Sequence, residues 1–347
     1  MRSLVLVVLA SSLFACGKDP VTSGGLDASG GTSDAPPLTG EKFSLVWGPV
    51  SIPSGDEGTQ CVDIKLSNPT EIKVRQLHNV LGGGSHHLIV YRNDMDTVER
   101  KTPYDCQPFT GALNATGMVA PMMITQKHDD ALTLPEGVAY TLKPNQMIRI
   151  EMHYNNTGDV PVDLQATTEF YAHDPALIQH EANILFIGSP DIKIPAMGTQ
   201  TVNQFFSPGR TNLDLSGAKF FAITGHTHQY GLDVEVNTAA TKGGAKTSVY
   251  APDPFDWSEP ETTTHQPEFQ IPAGGGFDFK CDYRNTSGQE VGFGESTNDE
   301  MCFFWAYYYP SKGAFVCVHS DDFGGADVCC PNPDPNDQIC PYIASMF

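Results

Sequence analysis

Met147-Ile148-Arg149-Ile150-Glu151-Met152 sets Ile148, Ile150 and Met152 on one side of an extended chain and Arg149 and Glu151 on the other. That period of two is the pattern of a half-buried antiparallel strand. Phe277-Asp278-Phe279-Lys280 alternates in the same way, and Leu88-Ile89-Val90-Tyr91 is a short run of branched and aromatic residues suited to a strand. Gly82-Gly83-Gly84, Gly274-Gly275-Gly276 and Pro331-Asn332-Pro333 punctuate such runs. No long stretch combines helical periodicity with caps, so the expected class is all-β, built of antiparallel β-sandwiches. No short-period repeat is visible, which removes propellers and solenoids.

Working outward, the N-terminus carries Arg2, an apolar run from Leu4 to Leu9, and Leu13-Phe14-Ala15-Cys16. This order describes a secretory signal too short to span a bilayer permanently. Its ending resembles a bacterial lipobox, which implies that residues 1–15 are a lipoprotein signal peptide and that Cys16 receives lipid. Gly17 after Cys16 favours the outer membrane, so the expected location is the bacterial cell envelope, with the lipid as sole membrane anchor. Residues 17–41 are rich in Gly, Ser, Thr, Asp and Pro, too poor in apolar surface to offset ordering entropy; residues 16–41 are read as a flexible tether. About 300 residues remain, more than one core usually holds. A boundary fits the looser His173-Asp174-Pro175, giving sandwiches over 42–172 and 173–316 and a Cys-rich tail over 317–347.

Twenty basic residues against 41 acidic ones argue against a nucleic-acid partner. Apart from Cys16 there are eight cysteines: Cys61, Cys106, Cys281, Cys302, Cys317, Cys329, Cys330 and Cys340. An even number in an exported chain reads first as disulfides. The adjacent Cys329 and Cys330 are expected to serve different partners, since neighbours rarely reach disulfide geometry.

Of eleven histidines, five lie in strand-like, partly apolar contexts: His86, His87, His153, His226 and His228. A lone histidine there is ordinarily a hydrogen-bonded core residue; their grouping raises the metal reading. In His226-Thr227-His228 the imidazoles stand two apart, on one face of a strand, with Thr227 turned away. Some zinc hydrolases use the same spacing, but on βα folds. Adjacent His86 and His87 can share a metal only across a bulge or at a strand end, a distortion that Gly82-Gly83-Gly84 permits. His153 could complete a three-imidazole set. Nitrogen-only sets suit copper and zinc alike, whereas Met301, in Glu300-Met301-Cys302, would add a soft thioether favouring Cu(I). The alternative role for Met301 is core filling.

Read in order, Ser85-His86-His87-Leu88, Glu151-Met152-His153-Tyr154-Asn155, Gly225-His226-Thr227-His228 with Gly231, and Glu300-Met301-Cys302 leading to Tyr308-Tyr309-Pro310 resemble the copper type II, ascorbate-dependent monooxygenases, the family of dopamine β-hydroxylase and peptidylglycine α-hydroxylating monooxygenase. The resemblance covers about residues 42 to 317 and implies two antiparallel jelly-roll sandwiches. It implies that His86, His87 and His153 hold an electron-supplying copper. His226, His228 and Met301 would hold the catalytic copper, the two ions facing each other across a water-filled cleft. The implied activity is hydroxylation of a C–H bond with O₂ and ascorbate or another one-electron donor.

The same resemblance implies disulfides Cys61–Cys106 and Cys281–Cys302, and leaves Cys317 to pair with Cys329, Cys330 or Cys340. Thr224 stands where the peptide-amidating branch has a substrate-gripping arginine, and Trp305 where both named enzymes have tyrosine. Threonine cannot form a bidentate ion pair with a carboxylate. Thr224 and Trp305 therefore mark a substrate pocket unsuited to a glycine-extended peptide and inclined to a small, less polar, aromatic molecule. Two other classes compete. One is a copper-binding envelope lipoprotein that stores, senses or delivers the metal; the other is an adhesive sandwich with fortuitous histidines.

Overall fold

The computed structural model describes residues 40–109, 119–331 and 340–341. Cys16, the signal segment and nearly all of the tether lie outside them. Among the described residues the named elements are strands and two short 3₁₀ turns, Pro175–Leu177 and Pro208–Arg210. No helix there is long and apolar enough to cross a membrane.

Strands from Lys42 to Glu181 form two sheets. One orders Lys42–Ile52, Val162–His173, Ile72–Leu81, Val138–Leu142 and His180–Glu181, with Asp129–Thr133 also on Ile72–Leu81. The other orders Arg100–Asp105, Glu57–Lys65, Met147–Asn155, Ser85–Asn93 and Val119–Thr125. From Asn183 onward, a six-stranded sheet orders Thr263–Phe269, Lys219–His226, Cys302–Tyr309, Asn183–Ser189, Phe315–Ser320 and Ala326–Cys330. It faces a four-stranded sheet of Thr199–Phe206, Gly276–Arg284, Gly231–Ala239 and Lys246–Tyr250. Pairing is antiparallel except where His180–Glu181 joins Val138–Leu142 and Phe315–Ser320 joins Asn183–Ser189.

The two cores meet on opposite faces of the six-stranded sheet, most extensively at one of its central strands. Cys302–Tyr309 is buried at every position. Phe303, Trp305, Tyr307 and Tyr309 join the core of the first two sheets, while Cys302, Phe304, Ala306 and Tyr308 join that of the last two. Alternation thus persists, but both faces are apolar because both are covered. Tyr307 also binds the first sheets directly, its hydroxyl accepting from Ile124 N at 3.1 Å.

Four disulfides staple the sheets: Cys61–Cys106, Cys281–Cys302, Cys317–Cys329 and Cys330–Cys340. Adjacent Cys329 and Cys330 serve different partners. The first two close 45 and 21 residues, worth about 3–4 kcal/mol each on chain-entropy grounds. Cys281–Cys302 fixes the chain one residue after Met301.

Candidate metal centre

His87 sits opposite His153 on neighbouring antiparallel strands, and the register slips between Ser85 and His87. This bulge lets consecutive histidines turn toward one point instead of opposite faces. The entry to it needs glycine: Gly84 has φ +88°, and its carbonyl accepts from Asn155 N at 2.9 Å. As a result one nitrogen from each of His86, His87 and His153 lies within 4.8 Å of the others, all three rings being buried. The Nδ1 atoms of His86 and His87 are 3.2 Å apart. Two imidazoles on one tetrahedral ion with bonds of about 2 Å stand about 3.3 Å apart, so the pair has the spacing of shared ligands.

His226 ends its strand opposite Phe303, and His228 lies beyond, in the turn before Gly231. Their rings are 5.0 Å apart. A turn, not the pleat of a continuous strand, brings them together. That turn is built by Glu300, whose buried carboxylate accepts from His228 N at 2.9 Å and Tyr230 N at 2.6 Å. Gly231 is required because a Cβ there would lie 2.0 Å from Thr227 Oγ1. Met301 is fully buried, immediately before the strand Cys302–Tyr309 that pairs with the His226 strand, and packs in the core that holds Phe303 and Trp305. This position suits a ligand and a core residue alike.

The two histidine groups form one cluster. His86 lies 5.7 Å from His228 and 6.3 Å from His226 between ring centroids, and His87 lies 6.2 Å from His226. The open cleft implied by the resemblance does not part them here.

Burial and mutual repulsion hold His86, His87 and His226 well below the ordinary imidazole range, and burial chiefly brings His228 to about 4. These rings are neutral at pH 7, as metal binding requires. His86 Nε2, His87 Nε2, His153 Nδ1 and His226 Nε2 are buried without a hydrogen-bond partner. Buried ring nitrogens without partners on four neighbouring imidazoles call for an explanation, and a soft or borderline cation satisfies such a donor set.

Several contributors were not anticipated. Glu57 Oε1 stands 3.3 Å from His153 Nε2 and accepts from Thr297 N at 2.8 Å, while Ser296 Oγ reaches its other oxygen at 3.1 Å. Burial would raise its carboxyl, but the bonds from His153 and Thr297 bring it down to about 2. Gln126 contacts His226, and the Trp257 ring lies 6.1 Å from His86. Of the expected pocket residues, Trp305 lies 5.9 Å from the His226 ring, and Thr224 is buried with its hydroxyl bound to Thr262 at 2.8 Å.

Residues 180–324 match the family model for the copper type II ascorbate-dependent monooxygenase, C-terminal domain. This segment, which carries His226, His228 and Met301, is thus similar to the C-terminal domain of the copper type II ascorbate-dependent monooxygenases. No curated protein matches the chain significantly. Among solved structures, empty particles of cowpea mosaic virus align with a TM-score of 0.34 at 10% identity, over 86% of this chain and 97% of that one. The Sulfolobus turreted icosahedral virus aligns at 0.21 and 10% identity, over 78% and 60%. Likeness at that level carries no argument about this chain.

Proposed function

We propose that the chain is a copper-dependent monooxygenase that hydroxylates a C–H bond with O₂ and a one-electron donor such as ascorbate. The observation that carries this is the convergence of five buried imidazoles, His86, His87, His153, His226 and His228, four of them with an unpaired nitrogen, beside a segment similar to this family.

His86, His87 and His153 would hold one copper, and His226, His228 and Met301 the other. Bound there, the coppers supply two stored electrons and a position for O₂. The chain's part is to orient the ligands and exclude water. The Ser85/His87 bulge aims one triad, Glu300 fixes the His228 turn, and the surrounding aromatic core keeps solvent away. Thr224 offers no cation for a carboxylate, which supports a small, less polar, aromatic substrate over a glycine-extended peptide. Cys16 would anchor the protein to the outer membrane through lipid.

The test is a metabolite screen with copper-loaded protein, ascorbate and O₂, read by mass spectrometry. Copper-dependent O₂ uptake with a product gaining one oxygen supports the proposal. Tight copper retention without turnover on any candidate would instead support a storage, sensing or delivery lipoprotein.

A further inference from the structure

Gln126 follows the strand Val119–Thr125, where the pairing of Leu88 with Thr125 sets it next to His87. It is 6% exposed. Its Oε1 lies 3.0 Å from His226 Nδ1, on the other pair of sheets. An amide oxygen can only accept, so His226 must carry its proton on Nδ1, which leaves the buried, partnerless Nε2 as its lone-pair nitrogen. Gln126 Nε2 is itself buried without a partner. Leucine would fill this position without burying an unpaired donor, so the polar side chain is explained by what its oxygen does.

We propose that Gln126 is a positioning residue that locks the Nδ1–H tautomer and ring angle of His226, so that the first pair of sheets prepares a metal ligand carried by the second. This rests on His226 being a copper ligand. The strand is docked independently of the metal through Ile124 N and the Tyr307 hydroxyl, so the amide acts from a fixed base. An outer hydrogen bond of this kind fixes the donor atom of a ligating histidine and raises its basicity; its loss typically costs 10–100-fold in metal affinity.

The full mature chain, labelled with ¹⁵N-histidine, tests this with and without copper. In the metal-free protein, long-range ¹H–¹⁵N correlations should show His226 protonated at Nδ1. Gln126→Leu should mix the tautomers and weaken one of two Cu(I) sites by about 10–100-fold, leaving the other unchanged. Gln126→Glu keeps an acceptor oxygen and should retain both the tautomer and the affinity. In a His226→Ala background, Gln126→Leu should cause no further loss, which a general packing defect would not reproduce. A wild-type His226 protonated at Nε2, or a Gln126→Leu variant with unchanged Cu(I) affinity, overturns the inference. A wild type that shows the tautomer lock but takes up no copper refutes the functional reading, and with it the ligand role assigned here.

Discussion

Glu300→Ala removes the acceptor that shapes the His228 turn, and its cost can be worked from two bonds. The buried carboxylate accepts from His228 N at 2.9 Å and Tyr230 N at 2.6 Å. Bonds to a charged acceptor contribute about 1.5–3 kcal/mol each, about 3–6 kcal/mol for both. Burial, partly offset by these N–H groups, pushes the carboxyl up to about 7, so near neutrality roughly half is protonated and the lower end, about 3 kcal/mol, applies. A domain stable by about 5–15 kcal/mol survives this. The denaturant midpoint should fall with an unchanged slope. Copper affinity at His226 and His228 should drop by up to about 100-fold, since each 1.4 kcal/mol is tenfold. Glu300→Gln, which keeps one acceptor oxygen, should fall between. Urea titration and competitive copper titration measure both effects. An alanine variant with wild-type midpoint and affinity would refute the idea that Glu300 holds this turn.

Met301→His should retain near-normal copper while losing more than about 100-fold in hydroxylation and O₂ uptake, beyond what loss of an outer hydrogen-bond partner costs at a metal site. Wild-type turnover would make Met301 a core residue. The His228 value of about 4 lies below the ordinary 6.5, and His226 is also depressed, so protons compete with metal there only in stronger acid. Copper affinity at this pair should stay nearly flat from pH 7 to about 5 and fall as pH drops toward 4, where ordinary histidines would lose affinity from about 6.5 downward. A fall already under way at pH 6.5 contradicts the depressed values. Cys16→Ser should abolish lipid labelling and release the protein from the membrane fraction; unchanged sedimentation would require another anchor.

What the sequence disclosed was local. The alternation of Met147 to Met152 and the glycines before His86 announced a strand and a distortion, because both are set by neighbouring residues. The His226–His228 pair was visible as a spacing, but the turn that joins them depends on Glu300, which acts across 72 residues. Gln126 reaches His226 across 100 residues, and Glu57 meets the turn bearing Ser296 and Thr297 across 240. No motif marks either residue. The two-sided burial of Cys302–Tyr309 was hidden for the same reason, as was the gathering of both histidine groups into one cluster: each depends on how the two pairs of sheets dock.

The central claim is that these histidines bind copper, and the copper content of the purified mature chain tests it most directly. After reconstitution and exhaustive dialysis, metal analysis should give two coppers per chain, falling to one in a folded His226→Ala/His228→Ala variant. A wild type that keeps none, or a folded double variant that keeps both, contradicts the account.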